Sequence, residues 1–234
     1  MMIRVKHFVV LLALICSSVS AMWAQTANPT ISFNSKDDGD VVMVPGDEQV
    51  CQAPLEITLE ANIEDAVGWT PKVEWIVYDG RDGSVEKPLI TRFEPDSKHT
   101  LTKSGEYGIV LFITFVDAGG NELEYECEPF TIKISESKLS CPDGFSPNGD
   151  DINDIFKITY QSIVKMEGTF FNRWGQKVYG FDLSNVDQGW DGRHNGSVVS
   201  DGVYFLNLQA VGSDGLKYNI RKAVNILTKF RENE

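Results

Sequence analysis

The stretch Leu55–Ile63, LEITLEANI, does more than any other to limit what this chain can fold into. Apolar and polar residues alternate along it with a period of two, which suits a strand with one buried face and cannot pattern a helix. The same reading extends to Val73–Tyr78, Leu89–Phe93, Tyr107–Val116 and Leu123–Ile134, separated by the turn-forming runs DGRDG, SGE and DAGGN. No stretch carries a capped 3.6-residue period. Short strands cut by Gly/Asp turns predict an all-β chain built of antiparallel sandwiches.

The second half repeats the habit with different punctuation. Ile155–Ile158, Gly168–Asn172, Lys177–Tyr179, Val203–Leu208 and Tyr218–Phe230 read as strands, with RWGQ, GWDGRHNG, DG and GSDG as the turns between them. The join KISESKLS is short and should hold the two halves close together. The predicted organisation is a signal peptide over 1–24, an acidic immunoglobulin-like sandwich over 25–139 and a second immunoglobulin-like sandwich over 140–234. Within the first, TLTKSGEYGIVLFITFVDAGG resembles the late strands of polycystic-kidney-disease-type modules. Trp75, mid-strand among apolar neighbours, belongs in its core rather than on a ligand.

Residues 1–25 have the three parts of a secretory signal: Arg4 and Lys6, an apolar run from Phe8 to Cys16, and small residues at the cut. Cleavage is expected between Ala24 and Gln25, with Val19-Ser20-Ala21 as the competing site. Cys16 follows Leu14-Ile15, which puts a large residue where a lipobox needs a small one. The longest later apolar run, Gly108–Val116, falls well short of the roughly 20 residues of a spanning helix.

Charge is unevenly spread. Residues 25–140 hold 22 acidic against 9 basic side chains, and residues 141–234 hold 12 against 10. An acidic first half repels phosphate backbones, which argues against nucleic acid as a partner. Three cysteines follow the signal, and in an exported chain Cys51 and Cys127 are the pair expected to form a disulfide, with Cys127–Cys141 as the alternative.

Catalytic signatures are absent: the chain has no G-x-S-x-G, H-E-x-x-H, P-loop or dinucleotide glycine pattern, and His99 and His194 have no ligand partner at a metal spacing. Its carboxylates sit in turns or alternate on strands. The chain is therefore expected not to be an enzyme and to need no cofactor, calcium being the one candidate. Asn148, Asp150, Asn153 and Asp154 in FSPNGDDINDIF are hard oxygen donors in a glycine-containing loop, although Ile152 occupies a position where an EF-hand would place a ligand. The other reading of that loop is a turn stitched by its own Asx side chains.

Four motifs, FSPNGDDINDIFKI, FNRWGQKVYGF, GWDGRHNG and DGVYFLNL, follow one another within the second half. Together they resemble the gliding-motility-associated C-terminal domain, the type B sorting domain of the type IX secretion system of Bacteroidetes. The resemblance carries over onto Phe145, Pro147, Asn148, Gly149, Asp150, Asn153 and Asp154, and onto Phe171, Asn172, Arg173, Trp174 and Gly175. It continues through Gly189, Trp190, Asp191, Gly192, Asp201, Gly202, Val203 and Tyr204. Asp151 stands where the family has a second glycine, and Ala223 where it has a glycine before the last strand's valine. Trp174 and Trp190 are expected to pin their turns to the core.

The resemblance implies export to the periplasm, then docking on the outer-membrane translocon and its barrel subunits, with retention at the outer membrane or cell surface. A chain that is nearly half sorting domain resembles a small accessory protein of that system, with an envelope or signalling partner for its acidic domain. The alternative is a small surface-anchored adhesin or structural cargo.

Overall fold

The computed structural model describes residues 26–228; the expected signal peptide, its expected Ala24–Gln25 cut and the end of the last predicted strand lie outside the described residues. The first unit begins with β1 (Thr26–Ala27), β2 (Thr30–Ser35), β3 (Gly39–Met43), β4 (Glu48–Cys51), β5 (Leu55–Glu60) and β6 (Ile63–Glu64). It continues with β7 (Trp69–Asp79), β8 (Ile90–Arg92), β9 (Asp96–Leu101), β10 (Gly105–Asp117), β11 (Glu122–Glu126) and β12 (Phe130–Ile134). Two sheets form the sandwich, one in the order β3-β2-β5-β9 and the other β4-β12-β10-β7-β8, with β11 also on β10. The alternation in LEITLE turns Leu55, Ile57 and Leu59 inward from β5. They join a core that includes Trp75, Leu111, Phe115 and Phe130 from the facing sheet. Trp75 is fully enclosed and donates its indole N–H to the Pro95 carbonyl at 3.2 Å, so its one polar group is satisfied.

The expected continuous strand Leu123–Ile134 is divided in two. Pro129 has no N–H to give to a ladder, and the chain steps out at Cys127–Pro129 before pairing again. As a result β11 lies opposite Phe112–Val116 and β12 opposite Gly105–Ile109, sharing one edge of β10.

That arrangement also corrects the expected Cys51–Cys127 disulfide; both thiols are free and buried, and Cys141 is free as well. Cys51 sits level with Ile134, which sits level with Gly105, whereas the Cys127 N–H bonds the Leu111 carbonyl. The six residues from Gly105 to Leu111 correspond to about 20 Å of strand. A disulfide needs Cα atoms roughly 4.4–6.8 Å apart. Burial pushes all three thiols above their ordinary range.

The second unit comprises β13 (Lys138–Ser140), β14 (Gly144–Phe145), β15 (Thr159–Gln161), β16 (Ile163–Phe171), β17 (Lys177–Asp182), β18 (Arg193–His194), β19 (Ser197–Val198), β20 (Gly202–Gly212) and β21 (Lys217–Ile226). One five-stranded sheet, β14-β21-β20-β16-β17, carries one side of its core. The ribbons β13–β15 and β18–β19, with the loops around them, make up the rest of the unit. Ile155–Ile158, expected as a strand, makes a single bridge between Phe156 and Trp190. A 3₁₀ turn at Val186–Gln188 is the only helical element among the described residues.

The units meet along a polar seam. The buried Ser162 hydroxyl accepts from the Ala53 N–H at 3.2 Å, while the Ser162 carbonyl accepts from the Ser213 N–H at 2.9 Å. Ser104 N–H reaches the Ser213 carbonyl at 3.1 Å. Asp214 takes both the hydroxyl (2.8 Å) and the N–H (3.0 Å) of Ser137 in the join. At the other end Lys36 lies 3.9 Å over the Tyr160 ring and 3.4 Å from Asp187, which also accepts from the Tyr160 hydroxyl.

Candidate functional site

The loop FSPNGDDINDIF is built by its backbone. Gly149, Asp151 and Asn153 have φ of +81°, +66° and +54°, alternating with residues of negative φ. Such alternation turns successive N–H groups toward one point and makes an anion-binding nest. The anion here is the chain's own Asp154 carboxylate. Its Oδ1 accepts from the N–H groups of Asn148 and Gly149, and its Oδ2 from Asp151, each at 2.8 Å. These donors, Gly149 first and then Asp151 and Asn148, hold the Asp154 carboxyl below the usual carboxylate range against the opposing effect of burial. Asn148 Oδ1 accepts from the Asp150 N–H at 2.9 Å, and Asp150 Oδ1 from the Ile152 N–H at 3.0 Å. The Asn153 carbonyl accepts from Ser146.

Of the four residues considered as calcium ligands, the carboxylate and amide oxygens of Asn148, Asp150 and Asp154 thus point at the loop's own amides. Among the described residues no three His, Cys, Asp or Glu side chains are placed to hold a metal ion. Asp151, where the resemblance leads one to expect glycine, adopts the left-handed conformation that a glycine would take. The turn keeps its shape, at the steric cost of a Cβ in that region.

The four motifs converge on Trp190, which is 1% exposed. Its ring stacks on Tyr179 at 5.4 Å, with an interplanar angle of 8°. Phe170 lies 4.7 Å away, Phe145 5.6 Å and Tyr204 5.9 Å. Phe156 meets Phe145 and Phe170 edge-on and is tied to Trp190 through two backbone hydrogen bonds, of 2.8 and 3.1 Å. The indole N–H donates to the Arg193 carbonyl at 2.9 Å, and the Tyr179 hydroxyl to the Gly189 carbonyl at 2.8 Å.

The glycines let these segments touch. A Cβ on Gly189 would lie 2.7 Å from the Phe156 carbonyl oxygen, and one on Gly192 2.7 Å from Pro147 Cγ. Asp191 closes its turn by accepting from the Arg193 N–H at 3.0 Å. Asp201, just before Gly202 opens β20, accepts from the Thr228 N–H at 2.8 Å and so ties down the backbone just past β21.

The FNRWGQ hairpin behaves otherwise. Asn172 Oδ1 accepts from the N–H groups of Trp174 and Gln176, both at 3.0 Å, and Gly175 completes the turn with φ +79°. Trp174 is 75% exposed, with Arg173 lying 4.3 Å over its ring. It pins nothing to the core, contrary to expectation, because the tight Asx turn sets it at the hairpin tip. Phe171 and Val203 also face away from Trp190. The buried member of the Phe170–Phe171 pair is Phe170, which with Phe156 and Tyr179 completes the hub. Two adjacent residues on a strand must face opposite sides, and pairing Phe170 with the buried Gly168 by parity would have identified it.

Residues 139–223, the span that holds this hub, match the family profile of the CHU_C type IX secretion signal domain. The second unit is a type IX secretion signal domain. Such a domain routes its chain across the outer membrane to the cell surface or beyond, which entails interaction with the type IX secretion machinery. No curated protein matches the chain. Nothing in the comparisons supports equating it with PorA, the small accessory protein that its proportions resemble.

Several solved structures are similar. Latent PorU from Porphyromonas gingivalis is 13% identical over 87% of this chain and 20% of its own, with a TM-score of 0.27. The fibronectin(III)-like modules of Clostridium thermocellum CbhA are 14% identical over 85% of this chain and 94% of theirs, with a TM-score of 0.24. The FN1–FN3 domains of chicken CNTN1 are 9% identical over 84% and 89%, with a TM-score of 0.31. This chain therefore spans about a fifth of the length of the PorU chain.

Proposed function

We propose that the chain is a non-enzymatic envelope protein of the type IX pathway, whose signal domain docks on the outer-membrane translocon. The acidic first domain then acts as an accessory or signalling element toward a second envelope component. The observation that favours this over passive cargo is the seam. A domain that serves only as an address needs no fixed orientation toward its payload, whereas a component bridging two partners does. Ser162, Ser213, Asp214 and the Lys36–Tyr160–Asp187 contact supply that orientation. The first domain brings no catalytic pattern to the pair.

The reading is tested by deleting the gene and following secretion of unrelated type IX substrates together with expression of the system's own genes. A fall in both is expected. Normal secretion and expression would overturn the accessory role and leave a surface-anchored adhesin or structural cargo.

A further inference from the structure

The strands of the signal domain's sheet turn a second, solvent-facing side away from Trp190. On β20 the even-numbered residues Tyr204, Leu206, Leu208 and Ala210 are buried, so Val203, Phe205 and Asn207 face outward. Cross-strand register places Phe171 of β16 and Ala223 of β21 on either side of Phe205, and Thr169 and Arg221 on either side of Asn207. The result is a furrow of about 500 Å³ with Phe171 and Phe205 as its apolar walls, Ala223 on its far side and Arg221 on its rim. Phe205 is 48% exposed there, beside its cross-strand partner Phe171. The first domain packs on Val164, at the opposite end of β16, and leaves the furrow open.

The charge of this face is opposite to that of the chain. Lys165, Lys177, Lys217 and Arg221 lie on it, against Glu167 and Asp182. Among the described residues none of those four cations is ion-paired, although acidic groups outnumber basic ones by 34 to 21 over the whole chain. Lys177, opposite Phe171, and Arg221, opposite Asn207, flank the aromatic furrow, while Lys165 and Lys217 lie opposite Val211, about 20 Å farther along β20. The two near cations and the exposed rings form a complementary surface for an apolar side chain set among carboxylates.

We infer that this face is where the signal domain is read, and that its occupant is an acidic polypeptide surface of the secretion machinery that lays an apolar side chain over the paired rings of Phe171 and Phe205. The inference rests on the docking role proposed above. Trp190 and the Asp154 nest then act as scaffold, fixing β16, β20 and β21 in register, and the recognising groups are those that the hub turns outward.

The test compares four full-length chains in a cell with a type IX system: wild type, a chain lacking residues 139–234, Phe205→Glu and Arg221→Glu. Surface arrival is read by protease accessibility, and folding of the purified variants by melting temperature. Phe205→Glu and Arg221→Glu should keep the wild-type melting temperature, because both sites are exposed, and should lower the surface fraction about tenfold. Normal export of the truncated chain would overturn the docking role itself. Loss of export on truncation with normal export of both point variants would leave docking intact and overturn this face.

A photo-crosslinking residue at 205 identifies the occupant. The expected adduct is an outer-membrane protein, joined through an acidic segment, with a yield that falls as salt is raised. An adduct with a second copy of the chain, with lipopolysaccharide, or with nothing would overturn the proposed partner.

Discussion

Gly189→Ala isolates the energy that joins the first motif to the third. Gly189 has φ 68° and ψ −175°, a region open essentially to glycine alone, and forcing another residue into it costs about 1–3 kcal/mol. The added Cβ would sit 2.7 Å from the Phe156 carbonyl oxygen and 2.5 Å from Ile155 Cγ2. The Phe156 carbonyl accepts from Trp190, so relieving the clash opens a bridge of two backbone hydrogen bonds worth about 1 kcal/mol each. The total loss is about 3–5 kcal/mol, a large part of the roughly 5–15 kcal/mol that holds a typical domain folded. Gly196→Ala is the control. Its φ of +82° is also left-handed, but nothing lies within 4 Å of the added Cβ, so it should lose only about 1–2 kcal/mol. Urea titration followed by tryptophan fluorescence measures both. Equal shifts for the two variants would refute the argument, since the bridge and the glycine-only conformation would then carry no energy of their own.

Asp151→Gly relieves a Cβ held at φ +66° and should raise the stability of the signal domain by about 0.5–1 kcal/mol, read as a higher urea midpoint. Because the Asp154 carboxyl is held below its ordinary range, its contribution is fully present above about pH 4 and fades as pH falls through the lower, folded-state value. A melting-temperature series on the acid side of pH 4 should therefore slope more steeply for wild type than for Asp154→Asn. Ser162→Ala leaves the buried Ala53 N–H without its acceptor, which should cost about 1–3 kcal/mol and speed proteolysis in the join Lys133–Ser140. With Cys51, Cys127 and Cys141 all free, reductant should leave the melting temperature unchanged, and thiol reagent should titrate all three once the chain is denatured.

What the sequence disclosed, and what it withheld, divides along a physical line. LEITLE and GVYFLNLQAV could be read because side-chain alternation is a local property of a strand, and β5 and β20 obey it residue by residue. Trp75 could be placed in the core for a similar reason, being large and apolar within a β pattern, whereas the turn residues Trp190 and Trp174 carried the same expectation and only Trp190 is buried. The disulfide could not be read, because it depends on where β4 and β11 lie along a sheet assembled from distant segments. Cys51 ends β4 and Cys127 follows β11, at different heights along the sheet. The seam was equally hidden: Ser162, Ser213 and Lys36 are ordinary surface letters until two units meet.

The motif residues divide in the same way. Their sequence signal is one of turn chemistry, glycine and Asx at fixed spacing, and it marks Asn148, Gly149, Asp154, Gly189 and Gly192 without saying what the turns are for. Here they bring Pro147 onto Gly192 and Phe156 onto Trp190, which locks the register of the sheet behind them. A motif of this kind is legible because its backbone cannot tolerate other residues. The outward face that it holds in place is made of Phe171, Phe205, Arg221 and Ala223, whose side chains lie on a strand surface and do not set a turn. The motif therefore locates the scaffold and leaves the recognition surface to be read from the fold.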